Sequence, residues 1–144
     1  MVLGAEGHWL VGWLFCRLIE RHAPDVAAVG GVSIGADPLV SATSLMSGFG
    51  PKPLPGFYIR PEPKAHGTGQ AIEGIKLIPK GARCAILEDV ITSGGSVLKA
   101  ISRAREAGFD VARAFVLVDR EEGGRDVVER EAPVTSLFSR RDFP

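Results

Sequence analysis

Residues 84–96 read Cys84-Ala85-Ile86-Leu87-Glu88-Asp89-Val90-Ile91-Thr92-Ser93-Gly94-Gly95-Ser96. The first four of these residues form a continuous apolar run, which is typical of a short strand buried on both faces of a sheet. The next nine, from Glu88 to Ser96, form an acidic and then glycine-rich turn. Apolar side chains at helical spacing follow from Val97 to Ala107 and end at Gly108, a usual helix stop. This stretch therefore predicts a strand, a functional turn and a helix, in that order.

The same alternation extends on both sides of this stretch. We predict helices over residues 6–22 and from Asp37, as the N-cap, toward Met46, and strands over residues 26–32, 57–59 and 114–118. Residues 60–74 lack apolar periodicity and are predicted to form a long exposed loop. Alternating helices and buried strands indicate an α/β fold: one domain over residues 1–144, with an open, mostly parallel twisted sheet flanked by helices. In such sheets ligands bind where the strands end, which selects four loops, at residues 35–38, 60–74, 88–96 and 119–124.

The composition of the chain argues against some classes of binding partner. Lys and Arg number 17 and Asp and Glu 17, so the formal net charge is zero, which argues against general binding of nucleic acids or anionic membranes. The apolar stretch over residues 9–19 is too short to span a bilayer and has no basic segment before it, as a signal peptide would. Cys16 and Cys84 lie far apart within apolar runs, so we predict free, buried thiols and a cytoplasmic location.

The turn at residues 88–96 carries the chemistry. Thr92 to Ser96 offer hydroxyl groups and backbone N–H groups at the start of a helix, which together suit a phosphate dianion. Glu88 and Asp89 would repel that anion unless they bind something else, and the candidates are sugar hydroxyls or a divalent metal. A phosphorylated sugar satisfies both halves of the turn. The structural alternative is a tight strand-to-helix turn in which the two acids only cap the backbone.

Three segments resemble known motifs, in the order in which a single family carries them. Residues 84–96 resemble the phosphoribosyl pyrophosphate loop of the type I phosphoribosyltransferases. Residues 115–124, Phe115-Val116-Leu117-Val118-Asp119-Arg120-Glu121-Glu122-Gly123-Gly124, resemble the strand and loop that follow it in orotate phosphoribosyltransferases. Residues 58–67, Tyr58-Ile59-Arg60-Pro61-Glu62-Pro63-Lys64-Ala65-His66-Gly67, resemble their mobile catalytic loop. The resemblance covers Val26 to Leu137.

The resemblance implies an orotate phosphoribosyltransferase, which joins orotate to phosphoribosyl pyrophosphate in de novo pyrimidine biosynthesis, with orotidine 5′-monophosphate and pyrophosphate as products. It implies Mg²⁺ as cofactor, held mainly by the pyrophosphate and ribose of the substrate, and a homodimer whose catalytic loops act across the subunit boundary, with the Trp-bearing first helix in the interface. By resemblance the catalytic residues are Lys64, Glu88 and Asp89. The residues implied to bind phosphoribosyl pyrophosphate are Arg60, Lys64, His66, Glu88, Asp89, Val90, Ile91, Thr92, Ser93, Gly94, Gly95 and Ser96. Those implied to bind orotate are Thr92 and Arg120.

The chain departs from the family pattern at three places. Pro61 stands where the catalytic loop usually has a second Lys. We also expect the hood subdomain over the base and the closing helix to be missing. These departures leave two alternatives open: a non-catalytic module that binds phosphoribosyl pyrophosphate or a nucleotide, and a transferase for another base. Arg60, Lys64 and His66 could equally be solvated loop residues, and Arg120 could pair with Glu121 or Glu122.

Overall fold

A computed structural model describes residues 4–62 and 71–144. The helices are α1 (Ala5–His22), α2 (Asp37–Ser47), α3 (Gly95–Glu106) and α4 (Gly124–Val128). The strands are β1 (Ala28–Val32), β2 (Gly56–Ile59), β3 (Ile72–Glu73), β4 (Arg83–Ile91), β5 (Asp110–Asp119) and β6 (Val134–Ser139). Short 3₁₀ turns occupy Ile75–Leu77 and Arg140–Asp142.

The strands form one sheet in the order β3-β2-β1-β4-β5-β6. All neighbouring pairs are parallel except β2 and β3, which are antiparallel. The predicted open, mostly parallel sheet is therefore confirmed. From β1 the chain passes through α2 to β2 on one side, whereas β4 lies on the other side of β1, so the strand order reverses between β1 and β4. A crevice at such a reversal is the usual ligand site of an open α/β sheet.

Helices cover both faces of the sheet, which explains the apolar run over residues 84–87 of β4. Ile86 belongs to the core cluster under α3, whereas Ala85 and Leu87 belong to the cluster under α1 and α2. Successive strand residues point to opposite faces, so a stretch of strand with a helix layer on each side is apolar at successive positions. Phe115 on β5 and Phe15 on α1 are fully buried in the second cluster.

Several sequence-based boundaries are corrected by the structure. The N-cap of α2 is Ala36, and Asp37 is the first residue of the helix. The Asp37 side chain accepts a hydrogen bond from the Ser33 hydroxyl at 2.7 Å. The predicted turn over residues 88–96 begins later, because β4 continues through Glu88 to Ile91 in register with β5. The predicted loop over residues 60–74 contains β3, which pairs with β2.

Two expectations drawn from the composition concern the cysteines and a membrane span. Cys84 is buried as predicted, but Cys16 is only half-buried, and both thiols are free. Burial raises the pKa of Cys84 to about 12 and that of Cys16 to about 11. Within the described residues, no helix is both long enough and apolar enough to cross a membrane.

Candidate active site

The candidate site lies at the edge of the sheet where the parallel strands end. β1, β2, β4 and β5 run in the same direction, so the segments that follow them meet at one edge. These segments begin at Ser33, Arg60, Thr92 and Arg120. The chain thus brings together, on one edge, the turn after β4 and the segments that the sequence singled out after β2 and β5.

The turn between β4 and α3, residues 92–96, forms a small concavity of about 40 Å³. Gly94 is the N-cap of the 12-residue α3 and has a φ of +84°, a conformation that a side chain would strain. Ser93, Gly95 and Ser96 are exposed. Exposed backbone N–H groups and hydroxyls at the start of a helix favour an anion through hydrogen bonding and the helix dipole.

Glu88 is buried to 5% exposure in β4, three residues before that strand ends. Its Oε2 atom has no hydrogen-bond partner among residues 4–62 and 71–144. Burial, and next the neighbouring carboxyl of Asp89, raises the pKa of Glu88 to about 8, because charging it costs desolvation and repulsion. A buried polar atom without a partner is uncommon in folded proteins, and one at a ligand-binding edge indicates a place for a donor from outside the chain.

Asp89 faces the segment that follows β1. Its Oδ1 accepts a hydrogen bond from the Val90 amide at 2.7 Å, and a Cβ placed on Gly35 would lie 3.0 Å from both of its carboxylate oxygens. Any side chain at Gly35 would therefore crowd Asp89. This close approach spans the crevice between β1 and β4, where the strand order reverses. Asp89 therefore presents a carboxyl group to this crevice, and the Glu88 carboxyl lies close enough to Asp89 for its pKa to respond to it.

Arg120 follows β5 immediately and lies next to the turn after β4. Its backbone amide donates to the Ile91 carbonyl at 3.1 Å, so the two strand ends are joined at this point. Its side chain is exposed and forms an ion pair with Glu122 at 2.8 Å. The ion pair anticipated as an alternative for Arg120 is therefore present, with Glu122 as the partner; exposed pairs of this kind contribute little to stability.

Arg60 is at the base of the segment that resembles the catalytic loop. Its Nε and NH2 groups donate to Glu73 Oε1 at 2.9 and 2.7 Å, which ties the end of β2 to β3. Lys64 and His66 lie outside the described residues. The structure therefore places Arg60 at the correct edge of the sheet, while the positions of the other two predicted cations stay a prediction.

Glu88 and Asp89 are the acidic residues at this edge that could serve a divalent metal. Among residues 4–62 and 71–144, no group of three or more His, Cys, Asp or Glu side chains could hold a metal ion. Mg²⁺ is usually bound through one or two carboxylates together with substrate phosphates and water, and not by a protein cage. Glu88, with its unpartnered Oε2, and Asp89 fit a metal that arrives with a phosphorylated substrate.

Sequence reasoning assigned no role to two features of this edge. One is the contact between Gly35 and Asp89, where a side chain in place of Gly35 would displace the Asp89 carboxylate; the loop at residues 35–38 was selected only because it follows a strand. The other is Gly124, whose amide donates to the Thr92 carbonyl at 2.9 Å. Gly124 was visible as the last residue of the 115–124 motif, but no contact can be inferred from its position in the sequence.

A larger cleft, about 210 Å³ in volume, lies at the opposite edge of the sheet. It is lined mainly by the C-terminal ends of α1 and α2 and by the segment before β2, including Cys16, Ile19 and Leu54. None of the predicted site residues that the structure describes lines this cleft. The described ones lie at or next to the edge where the strands end.

The fold, a mostly parallel sheet whose central strand β4 carries two adjacent acids shortly before its end and continues into a glycine-rich turn, matches that of the type I phosphoribosyltransferases. No protein-family model matches the sequence. Individual relatives do match it. The chain is 45% identical over 134 residues to orotate phosphoribosyltransferase of Aquifex aeolicus, covering 92% of this chain and 71% of that protein. It is 46% identical over 143 residues to orotate phosphoribosyltransferase of Sorangium cellulosum, covering 99% of this chain and 74% of that protein.

Solved structures agree with these relatives. Mycobacterium tuberculosis orotate phosphoribosyltransferase in complex with 5-phospho-α-D-ribosyl 1-diphosphate superposes with a TM-score of 0.83 at 28% identity, covering 99% of this chain and 79% of that chain. The chain belongs to the orotate phosphoribosyltransferase family.

Proposed function

We propose that this chain transfers the 5-phosphoribosyl group of phosphoribosyl pyrophosphate to orotate, giving orotidine 5′-monophosphate and pyrophosphate, a step of de novo pyrimidine biosynthesis. The observation that carries the proposal is the end of β4, where the buried and unpartnered Glu88 precedes the anion cradle at residues 92–96. Membership of the orotate phosphoribosyltransferase family supports the choice of base.

The two halves of the β4 segment bind the two ends of the sugar phosphate. Backbone N–H groups of residues 92–96, with the Thr92, Ser93 and Ser96 hydroxyls, hold the 5′-phosphate at the start of α3. Val90 and Ile91, the last two residues of β4, lie between the two acids and this cradle. They contribute to the proposed binding segment through their backbone atoms. Glu88 and Asp89 accept hydrogen bonds from the ribose 2′ and 3′ hydroxyls. A ribose hydroxyl at Glu88 Oε2 gives that buried atom the donor that it lacks within the chain.

Arg120 and Thr92 face the orotate ring. The Arg120 amide bonds to the end of β4, so its guanidinium starts from a backbone fixed beside the anion cradle. A guanidinium can bind the orotate carboxylate through two parallel hydrogen bonds, an arrangement that discriminates against bases lacking a carboxylate. Its ion pair with Glu122 is exposed and therefore weak, and can be exchanged for the substrate carboxylate.

Catalysis requires stabilisation of charge on the leaving group. As the bond between C1′ and the pyrophosphate oxygen breaks, the bonding electrons leave with pyrophosphate, the sugar becomes oxocarbenium-like, and N1 of orotate, which gives up its proton, bonds to C1′. Arg60, Lys64 and His66 supply positive charge to the pyrophosphate in this scheme. No covalent nucleophile is needed. A segment closing over the site would also exclude water that could hydrolyse the activated sugar.

The metal is Mg²⁺ in this proposal. When bound with the substrate it would neutralise part of the pyrophosphate charge. Glu88 and Asp89 are the residues that would hold it, through the ribose hydroxyls that they bind.

The assembly and location complete the proposal. We infer a single domain over residues 1–144 and a homodimer with shared active sites, in which the segment carrying Lys64 and His66 reaches the neighbouring subunit's substrate. Trp9 and Trp13, stacked with ring centroids 6.5 Å apart on the exposed face of α1, support a place for this helix in the interface. The two free thiols support a reducing, cytoplasmic location.

The decisive experiment mixes the purified chain with orotate, phosphoribosyl pyrophosphate and Mg²⁺ and follows the loss of orotate absorbance. We expect turnover by the wild type and none by a Glu88→Ala/Asp89→Ala double variant. The matched control, Glu20→Ala/Asp25→Ala, removes two exposed carboxylates near the opposite edge of the sheet and should retain turnover. Wild-type turnover no higher than that of the Glu88→Ala/Asp89→Ala variant would contradict the proposal.

Two further measurements address the alternatives. Calorimetry with phosphoribosyl pyrophosphate would reveal a binding module if the ligand bound tightly while no product formed. A panel of uracil, adenine and hypoxanthine in the same assay would reveal a transferase for another base. We expect orotate alone to be consumed at a substantial rate.

A further inference from the structure

The turn after β4 and the loop after β5 are joined through their backbones. The Gly124 amide donates to the Thr92 carbonyl at 2.9 Å, and the Arg120 amide donates to the Ile91 carbonyl at 3.1 Å. The first of these turns contains the proposed 5′-phosphate cradle, and the second begins with Arg120, the proposed orotate ligand. Two hydrogen bonds therefore connect the segments that would hold the two ends of the product nucleotide.

The two segments approach so closely that only glycine fits at either side of the contact. A Cβ on Gly124 would lie 2.2 Å from the Thr92 carbonyl oxygen and 2.6 Å from the Gly94 nitrogen. Reciprocally, a Cβ on Gly94 would lie 2.8 Å from the Gly124 carbonyl oxygen. These neighbours are backbone atoms, which cannot rotate away as the end of a side chain could. A side chain at Gly124 must therefore move one segment relative to the other.

The remaining contacts hold the β5 side of this junction in place. The buried Asp119 carboxylate accepts a hydrogen bond from the Glu121 amide at 2.8 Å and faces Arg125 NH1 at 3.7 Å. Val128, fully buried on α4, places its Cγ2 atom 2.9 Å from the position that a Gly94 Cβ would occupy. The loop thus has support on both sides, and a change at Gly124 would be transmitted to the anion cradle.

We propose that Gly124 is a positioning residue that sets the spacing between the 5′-phosphate cradle and Arg120, and so favours a ligand that spans both. The inference deepens the proposed function and rests on it, because it assumes that phosphate binds at residues 92–96 and the base near Arg120. Gly124 itself does not line the concavity at residues 92–96. The affinity for a ligand that occupies only the cradle depends on the shape of one segment. The affinity for a nucleotide also depends on the distance between the two segments.

The test compares two ligands by calorimetry: orotidine 5′-monophosphate, which spans both segments, and ribose 5-phosphate, which lacks the base. In Gly124→Ala we expect the affinity for orotidine 5′-monophosphate to fall about tenfold more than that for ribose 5-phosphate, the scale at which small displacements affect binding geometry. Loss of stability alone lowers the active fraction for both ligands equally and leaves the ratio of their dissociation constants unchanged.

Gly108→Ala is the matched control. Gly108 has a φ of +89° and no atom within 4 Å of its Cβ position, so this variant introduces backbone strain without a clash, away from the site. We expect the wild-type ratio of dissociation constants. A second variant, Val128→Ala, removes packing beneath Gly94 without adding any atom, and should shift the ratio in the same direction by about threefold.

The outcomes separate the two proposals. A wild-type chain that binds orotidine 5′-monophosphate no better than ribose 5-phosphate contradicts the proposed function. A wild-type chain that discriminates between the two ligands, with Gly124→Ala discriminating equally well, contradicts only the positioning role. If Gly124→Ala does not fold, an unchanged ratio in Val128→Ala overturns the positioning role, and a shifted ratio supports it.

Discussion

Arg60 and Glu73 connect the two ends of the loop that the sequence predicts over residues 60–74. Two donors of the Arg60 guanidinium, Nε and NH2, reach the same Glu73 oxygen, at 2.9 and 2.7 Å. Since β2 and β3 are antiparallel and Tyr58 is in register with Glu73, this ion pair closes the base of the segment between the two strands. Arg60 therefore holds a defined position at the sheet edge before any substrate binds.

Replacing Arg60 tests its proposed contact with pyrophosphate. We expect Arg60→Gln to raise the KM for phosphoribosyl pyrophosphate about 10- to 100-fold, because a charge-assisted hydrogen bond contributes about 1.5–3 kcal/mol. Steady-state kinetics would measure it. Arg105→Gln is the matched control, since Arg105 also pairs with a carboxylate, Glu131, at 2.6 Å but lies near the C-terminal end of α3. An Arg60→Gln variant that is kinetically equal to this control would show that Arg60 only closes the loop.

Replacing Arg120 tests recognition of the base. We expect Arg120→Ala to raise the KM for orotate about tenfold or more while the KM for phosphoribosyl pyrophosphate changes little, since the proposed function has the guanidinium facing the base and not the sugar phosphate. Glu122→Gln removes the ion-pair partner of Arg120 and serves as control. If the two variants lost activity to the same extent, the Arg120–Glu122 pair would be structural, and orotate recognition would have to lie elsewhere.

Burial of Glu88 predicts a pH dependence of stability. Its pKa is raised to about 8 in the folded chain, whereas an unfolded Glu titrates near its ordinary value of about 4.5. Between these values the folded state holds a proton that the unfolded state has lost, so the free energy of unfolding falls as the pH rises from about 4.5 to about 8. Urea unfolding across this range, without ligand or Mg²⁺, would measure the slope.

Glu88→Gln is the control for this slope, since an amide of similar shape does not titrate. We expect the variant to show a flatter profile, with its stability relative to wild type greatest near pH 8, where wild-type Glu88 becomes charged. Parallel profiles for the two proteins would show that the titration of Glu88 does not contribute to the pH dependence.

The core under α1 and α2 predicts a difference between two phenylalanines. Phe115 is fully buried in the centre of the sheet, so Phe115→Ala should lower the free energy of unfolding by about 3–5 kcal/mol. Phe49 is 81% exposed, and Phe49→Ala should change it by less than about 0.5 kcal/mol. Urea midpoints of the two variants would decide. Similar losses in both would contradict the burial described above.

The strands were predictable from the sequence where a continuous apolar run was present. The apolar runs at 84–87 and 114–118 predicted buried strands correctly, because a strand covered on both faces has no polar side to interrupt the pattern. β3 was missed, because two residues cannot show a period and this strand exists only through pairing with β2. The polar residues Glu88 and Asp89 were assigned to a turn for a similar reason: pairing with β5 extends β4 past the end of its apolar run.

The candidate site, like the fold, was predictable from the sequence only in part. By itself the sequence determined which residues are candidates for the chemistry, because adjacent acids followed by hydroxyls and glycines have few uses besides binding a sugar phosphate. Only the tertiary structure decided that Glu88 is buried with an unpartnered oxygen, that Asp89 lies against Gly35, and that Gly94 meets Gly124. Charge and hydrogen-bonding capacity belong to a residue type and follow from the sequence alone, whereas burial and close approach depend on which strands become neighbours in the fold.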